Sequence, residues 1–146
     1  MQIVNFNISH ADALLAESLN DEKNRPVIQL IEFVKEMCKA ELSFTGIIND
    51  ELIACAGIYE IWDGVGEAWF LGSQKMNQHP IKISRAIKKN LTRIMKEKNF
   101  HRIQAHVRID YKKAIKFAEF VGMKNEGEMQ KYTPDKVNVL RYAKVI

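Results

Sequence analysis

The spacing of apolar side chains divides the chain into alternating and helical stretches. From Gln2 to Ile8 the apolar positions Ile3, Val4, Phe6 and Ile8 approach a two-residue repeat, which predicts a first strand. Ser9 is placed to cap a short helix from His10 to about Asn20, with Ala13, Leu14 and Leu19 on its apolar side. Pro26 suits the first turn of a second helix, whose Val27, Leu30, Ile31, Val34, Met37 and Cys38 recur at three- and four-residue spacing. Three strands are predicted next. Leu42 to Ile48 meets a tight turn at Asn49-Asp50, Leu52 to Trp62 follows, and Asp63-Gly64-Val65-Gly66 turns the chain into Glu67 to Gly72. Connections this short favour antiparallel neighbours.

Pro80 marks another helix start after a polar loop. Ile83, Ile87, Leu91, Ile94 and Met95 form its apolar stripe, and Lys82, Arg85, Lys88, Lys89 and Arg93 its outer face. His101 to Arg108 reads as a strand with Ile103, Ala105 and Val107 on one side. Tyr111 to Val121 reads as a helix closed by Gly122. Two strands, about Met123 to Lys131 and Val137 to Val145, flank the turn Thr133-Pro134-Asp135. The order β-α-α-β-β-β-α-β-α-β-β predicts an α/β mixed sheet with helices on both faces, in which the strands joined through the Pro80 helix lie parallel.

Composition narrows the function classes. With 146 residues, 47% apolar and 27% charged, and without repeats or Gly/Pro-rich linkers, residues 1–146 are expected to form one globular domain. Neither a basic leader followed by an apolar run nor a membrane-length apolar segment is evident, so a cytoplasmic protein without membrane partners is expected. Cys38 and Cys55 lie in apolar stretches without CxxC spacing and are read as reduced core thiols. His10, His79, His101 and His106 are scattered, and no metal site is expected. The formal charge of +4 is unevenly spread: Lys75 to Arg102 carries +8 and the remainder −4. That segment is either a site for an anionic ligand or a solvated lysine-rich helix face. Nucleic acid is not the expected partner, because no aromatic platform accompanies the basic residues.

Particular residues carry a resemblance. Gly66-Glu67-Ala68-Trp69-Phe70-Leu71-Gly72-Ser73 resembles the fourth strand of the GNAT (Gcn5-related N-acetyltransferase) superfamily, which runs into a cofactor loop. His101 to Val107, followed by Ala114 to Met123, resembles that family's fifth strand and fourth helix. Glu126-Gly127-Glu128-Met129, Lys131-Tyr132 and Arg141-Tyr142-Ala143 are similar to the ends of the branch that acetylates ribosomal-protein N-termini. Phage-encoded proteins of the superfamily share the Trp-Phe-Leu strand and the Lys-Tyr-x-Pro-Asp ending. The resemblance runs from Gly57 to Ile146.

It implies the GNAT fold, with a splayed sheet and acetyl-CoA (coenzyme A) as cofactor. Pantetheine would lie along Phe70, Leu71, Gly72 and Ser73, paired to backbone groups of Leu71 and Ser73. Pyrophosphate would meet the start of the Pro80 helix, at His79, Lys82, Ile83, Ser84 and Arg85. The family's loop glycines are replaced here by Lys82 and Ser84. The side chains of Lys82, Ser84 and Arg85 can hold phosphate, or Lys82 can obstruct it. The family's Tyr acid is replaced by Ala118, and the Asn that opens that helix by Tyr111. The Tyr111 phenol either reaches the leaving thiolate or caps the helix against the core. His106 stands where the ribosomal-protein branch has its catalytic Glu, and reads as a general base or as a histidine packed between strand and helix. Glu67 and Glu60 are further candidate bases, or solvated carboxylates.

Two functions follow from the resemblance. The first is an acetyl-CoA-dependent N-acetyltransferase acting by direct transfer to a primary amine (a protein N-terminus, a lysine or a small amine), with a mild preference for a cationic acceptor. The second is a catalytically degenerate GNAT-fold binding or structural protein, of the kind found in a phage virion. Strand edges at the C-terminus can pair across a homodimer.

Overall fold

The computed structural model describes residues 1–18, 36 and 38–146, so Leu19 and the predicted Pro26 helix from Val27 to Val34, with Met37, lie outside the described residues; Cys38, predicted on that helix, is not helical. Seven strands form one sheet in the order β1-β2-β3-β4-β5-β7-β6: β1 (Gln2–Asn5), β2 (Ser43–Ile48), β3 (Glu51–Trp62), β4 (Val65–Gly72), β5 (Arg102–Arg108), β6 (Lys124–Met129) and β7 (Val139–Val145). Among the described residues the full helices are α1 (Ile8–Ser18), α2 (Pro80–Glu97) and α3 (Lys112–Phe120), with 3₁₀ turns at Ala40–Leu42 and Gln74–Gln78. Neighbouring strands are antiparallel except β4 and β5, the parallel pair expected of strands joined through the Pro80 helix.

Apolar periodicity decides which face each helix takes. In α2 the stripe Ile83, Ile87, Leu91, Ile94 and Met95 is buried, with Lys82, Arg85, Lys88, Lys89 and Arg93 exposed opposite, as its spacing predicts. That stripe packs with Ala118 of α3 on Phe44, Ala54, Ala56, Ile58, Ile103, Val107 and Tyr142. Alternation puts Cys55 and Leu71 on the other face of the sheet, where they meet Phe6 and the α1 residues Ala11, Leu14 and Leu15. Ala13, predicted on that buried side, is exposed, and Ala11 and Leu15 take its place. The start of α1 also differs from expectation. Asn7 Oδ1 accepts the Ser9 N–H at 2.9 Å, so Asn7 is the capping side chain and Ser9 lies inside the helix.

Turn chemistry sets the strand ends. Asn49 and Asp50 have φ of 51° and 61°, the left-handed pair of a two-residue hairpin turn. Val65 and Gly66, expected in the next turn, already pair with β3 and open β4. Gly122, at φ 91°, ends α3 as predicted. The last two strands are shorter than their apolar pattern suggests. Arg108 at the end of β5 grips both Asp110 and Asp135 through paired N–H donors, and Thr133 Oγ1 accepts the Val137 N–H at 2.9 Å. Residues 130–138 are thereby held as a folded loop rather than as strand.

Two measurements test this packing. A Cβ at Gly57 would lie 2.5 Å from Ser43 Oγ, 2.6 Å from the Leu42 carbonyl oxygen and 2.8 Å from Trp69 Nε1. Gly57→Ala is therefore expected to lower stability by about 1–3 kcal/mol in urea unfolding. Arg108 holds the Asp135 carboxyl down at about 2, so the stability this contact gives is full above pH 4 and is lost as pH falls towards 2. In Arg108→Gln the Asp135 side chain, followed by NMR, is expected to titrate near the ordinary value of about 3.9.

Candidate active site

The site begins where β4 and β5 part. They pair over three positions only, Val65–Glu67 against Arg102–Gln104. Beyond them β4 stays with β3 as far as Gly72, and β5 stays with β7 as far as Arg108. One edge of β4 is then left without a strand, and its backbone groups seek another partner. The Gly64 carbonyl accepts from the Arg102 N–H at 3.2 Å, whereas the Ser73 N–H is donated to the Ile53 carbonyl at 2.8 Å. Backbone direction alternates along a strand, so Ala68, Phe70 and Gly72 face the gap while Leu71 and Ser73 face β3. This corrects the expectation that Leu71 and Ser73 offer the pairing groups.

Glu67 is the last residue of β4 paired to β5, and its side chain points to the α1 face of the sheet with those of Trp69 and Leu71. It is buried, at 7% exposure. A carboxylate so placed needs strong donors to offset its lost hydration. It has two: His106 Nδ1 lies 2.6 Å from Oε1, and Gln104 Nε2 donates to Oε2 at 3.1 Å. Gln104 and His106 are two residues apart on β5 and so share that face. Gln104 Oε1 accepts from Arg102 Nε at 3.0 Å, and Arg102 forks onto Glu126 of β6. The carboxylate contact fixes the neutral His106 tautomer, with the proton on Nδ1 and a lone pair on Nε2. Arg141 of β7 donates from Nη2 to that lone pair at 3.3 Å. Tyr132 lies over the imidazole with ring centroids 5.2 Å apart. Tyr59, opposite Glu67 on β3, is pushed up to about 12 by burial and then by the charges of Glu67 and Tyr132, so its phenol stays protonated beside the carboxylate.

The other predicted residues are placed apart from this dyad. Tyr111 stands at the N-cap of α3 with 56% of its surface exposed, so its ring does not cap the helix against the core. His79 is the N-cap of α2, without a side-chain cap bond. Ile83 is a core residue whose N–H is donated to the His79 carbonyl at 3.1 Å, so neither its side chain nor its N–H is available to a ligand. Ser84 Oγ donates its one hydrogen to the Pro80 carbonyl at 2.7 Å, which removes the hydroxyl as a donor to phosphate. Lys82 and Arg85 remain exposed by the helix start, whose first turn carries no acid. Phe70 packs on Phe117 of α3, with centroids 5.7 Å apart. Ser73 Oγ is buried and has no hydrogen-bond partner among the described residues. Glu60 lies exposed at the β3 bulge and lines a polar depression with Lys39, Glu41, Asp63 and Lys98, away from His106.

Tyr59, Gln104, Tyr132 and Arg141 complete the surroundings of the dyad, and none was singled out for chemistry from the sequence. The available signal was alternation: once β4 and β5 are set parallel, Glu67, Gln104 and His106 fall on one face. Both cysteines are free thiols pushed up to about 11, chiefly by burial, which makes them poor nucleophiles near neutral pH. Among the described residues no cluster of ligands could hold a metal ion, and no helix is long and apolar enough to cross a membrane.

No protein-family model and no curated protein matches the sequence. Solved structures do match the fold. Ard1 from Thermoplasma volcanium superposes with a TM-score of 0.81 at 12% identity, over 99% of this chain and 97% of that one. A ribosomal-protein-alanine N-acetyltransferase from Brucella melitensis gives 0.76 at 13% identity, over all of both chains. An acetyltransferase of the GNAT family from Bacillus anthracis gives 0.74 at 20% identity, over 98% of this chain and 93% of that one. The sheet that parts at Glu67, flanked by its helices, is therefore the GNAT fold.

Proposed function

We propose that the chain is an acetyl-CoA-dependent N-acetyltransferase domain that transfers an acetyl group directly to a primary amine. The observation that carries this reading is the Glu67–His106 contact at the parting of β4 and β5. Acetyl-CoA supplies an activated acetyl thioester when bound. The backbone edge of Phe70 and Gly72 would hold its arm, and the orphaned Ser73 hydroxyl supports a polar ligand there. Lys82, Arg85 and the unpaired N–H groups of the first turn of α2 would hold its phosphates. The side chains of Lys82 and Arg85 thereby take over from backbone groups that glycine would have left open.

His106 Nε2 is the base in this reading. It accepts a proton from the acceptor ammonium, and the imidazolium so formed is stabilised by the Glu67 carboxylate at Nδ1. Gln104 and Arg102 keep that carboxylate aimed. The neutral Tyr59 phenol limits the negative charge around it to one. With the half-buried Cys38 thiol and the buried Cys55 thiol both held protonated near neutral pH, the amine attacks without a covalent enzyme intermediate. The acceptor is a protein N-terminus, a lysine or a small amine.

A binding protein that has lost catalysis is the second reading, favoured by the Ser84 hydroxyl being tied to Pro80. The two readings separate in calorimetry and turnover. Acetyl-CoA is expected to bind, and Lys82→Glu with Arg85→Glu to weaken it about tenfold, or about 1.4 kcal/mol. His106→Ala and Glu67→Gln are expected to cut kcat/KM about 10²–10⁴-fold while leaving acetyl-CoA binding unchanged. Absence of binding at millimolar acetyl-CoA would sink the enzymatic reading.

A further inference from the structure

The guanidinium of Arg141 is under-partnered for its position. Its Nη2 reaches two neutral acceptors, His106 Nε2 at 3.3 Å and Met129 Sδ at 4.0 Å. Its Nε is buried and without a hydrogen-bond partner among the described residues. A buried N–H left unpaired is unfavourable, and an acceptor brought to it restores the lost hydrogen bond. The nearby carboxylates are committed elsewhere: Glu67 to His106 and Gln104, and Glu126 to Arg102. Glu126 feels Arg141 only as a longer-range charge. Nε and Nη2 together form one edge of the guanidinium fork, the edge that a carboxylate takes with two parallel hydrogen bonds. Nη2 is also the atom that occupies the lone pair of His106.

Resting on the N-acetyltransferase reading, we propose that Arg141 determines acceptor specificity: it receives a carboxylate carried by the amine substrate, and in doing so it leaves His106 Nε2 open to the amine proton. The two events meet at Nη2: its N–H on the Nε edge goes to the carboxylate, and the long 3.3 Å contact of Nη2 with His106 gives way as the guanidinium moves toward that carboxylate. A carboxylate that takes Nε and Nη2 turns the guanidinium off the imidazole and pairs the orphaned Nε–H. Met129, unbranched and flexible, gives room for that turn. The charged and titratable groups on the strands around His106 include Glu67 on β4, Tyr59 on β3, Arg102 and Arg108 on β5, Glu126 on β6, Tyr132 after β6 and Arg141 on β7; Arg102 is bonded to Glu126, and Arg108 to Asp110 and Asp135. Arg141 is the cation among them with no carboxylate bonded to it among the described residues. A polyamine would set a second ammonium against that guanidinium. The carboxylate-bearing amine replaces the cationic acceptor that the acidic charge balance outside residues 75–102 suggested.

Matched acceptor pairs test this. β-Alanine is compared with β-alaninamide, and a peptide beginning alanyl-aspartate with its asparagine counterpart, so that free and peptide carboxylates are told apart. The wild type is expected to favour the acid of at least one pair by about tenfold or more in kcat/KM. Arg141→Gln is expected to lose that preference, and Arg141→Lys, a cation without the fork, to keep only part of it. The His106 Cε1–H resonance gives a readout independent of turnover. In wild type it is expected to move with β-alanine and not with β-alaninamide, and in Arg141→Gln to respond alike to both. Equal rates within both pairs, a preference that survives Arg141→Gln, or a wild-type resonance that does not discriminate would each overturn the proposal. If no amine is acetylated, the N-acetyltransferase reading fails and the resonance alone decides whether Arg141 binds carboxylate.

Discussion

The architecture turns on how briefly β4 and β5 stay together. Tight turns force β2, β3 and β4 into antiparallel neighbours, while the chain carried through α2 can return only as a parallel strand. Three residue pairs satisfy that return before each strand follows its antiparallel partner away. The unpaired edge of β4, the start of α2 and the last paired residue, Glu67, are brought to one place by this single constraint. A sheet paired along its full length would have buried the same residues without leaving an edge for a ligand.

The polar chain through the sheet shows how a carboxylate is kept in such a place. Glu126, Arg102, Gln104, Glu67, His106 and Arg141 follow one another across β6, β5, β4 and β7, each bonded to the next. A buried charge is tolerated when its oxygens are met by donors, and the donors are held in turn by further partners. Arg102 is fixed by the fork of Glu126, so Gln104 presents its amide nitrogen to Glu67 and its oxygen to the guanidinium. The chain ends on Arg141, where the pairing is incomplete. The end with the orphaned donor is the end at Nε2 of His106, the nitrogen proposed as base.

Much of this was legible from residues alone, and the boundary is physical. The stripe from Ile83 to Met95 states its helix because five apolar side chains at helical spacing have one consistent burial. The parallel return to β5 follows from connectivity. Glu67 and His106 could be named separately, but their meeting depends on the offset of β5 against β4, which no local pattern sets. Arg141 was further from view, because it reaches His106 through the β7 register after the folded loop at 130–138. Three of the departures share one origin. Ser9 yielded to Asn7, Ser84 turned back to Pro80, and Ser73 gave its N–H to Ile53; in each case one hydrogen bond chose between options that the sequence leaves equal.

The three-pair seam is also where the sheet is held by least backbone pairing: every other pair of neighbouring strands is joined over four or more positions. The amides of Arg102 and Gln104, which face β4, should then exchange with solvent sooner than those of β3, which hydrogen-exchange measurements read residue by residue. The edge that the proposed ligand would take thus adjoins the part of the sheet with the fewest backbone bonds to lose.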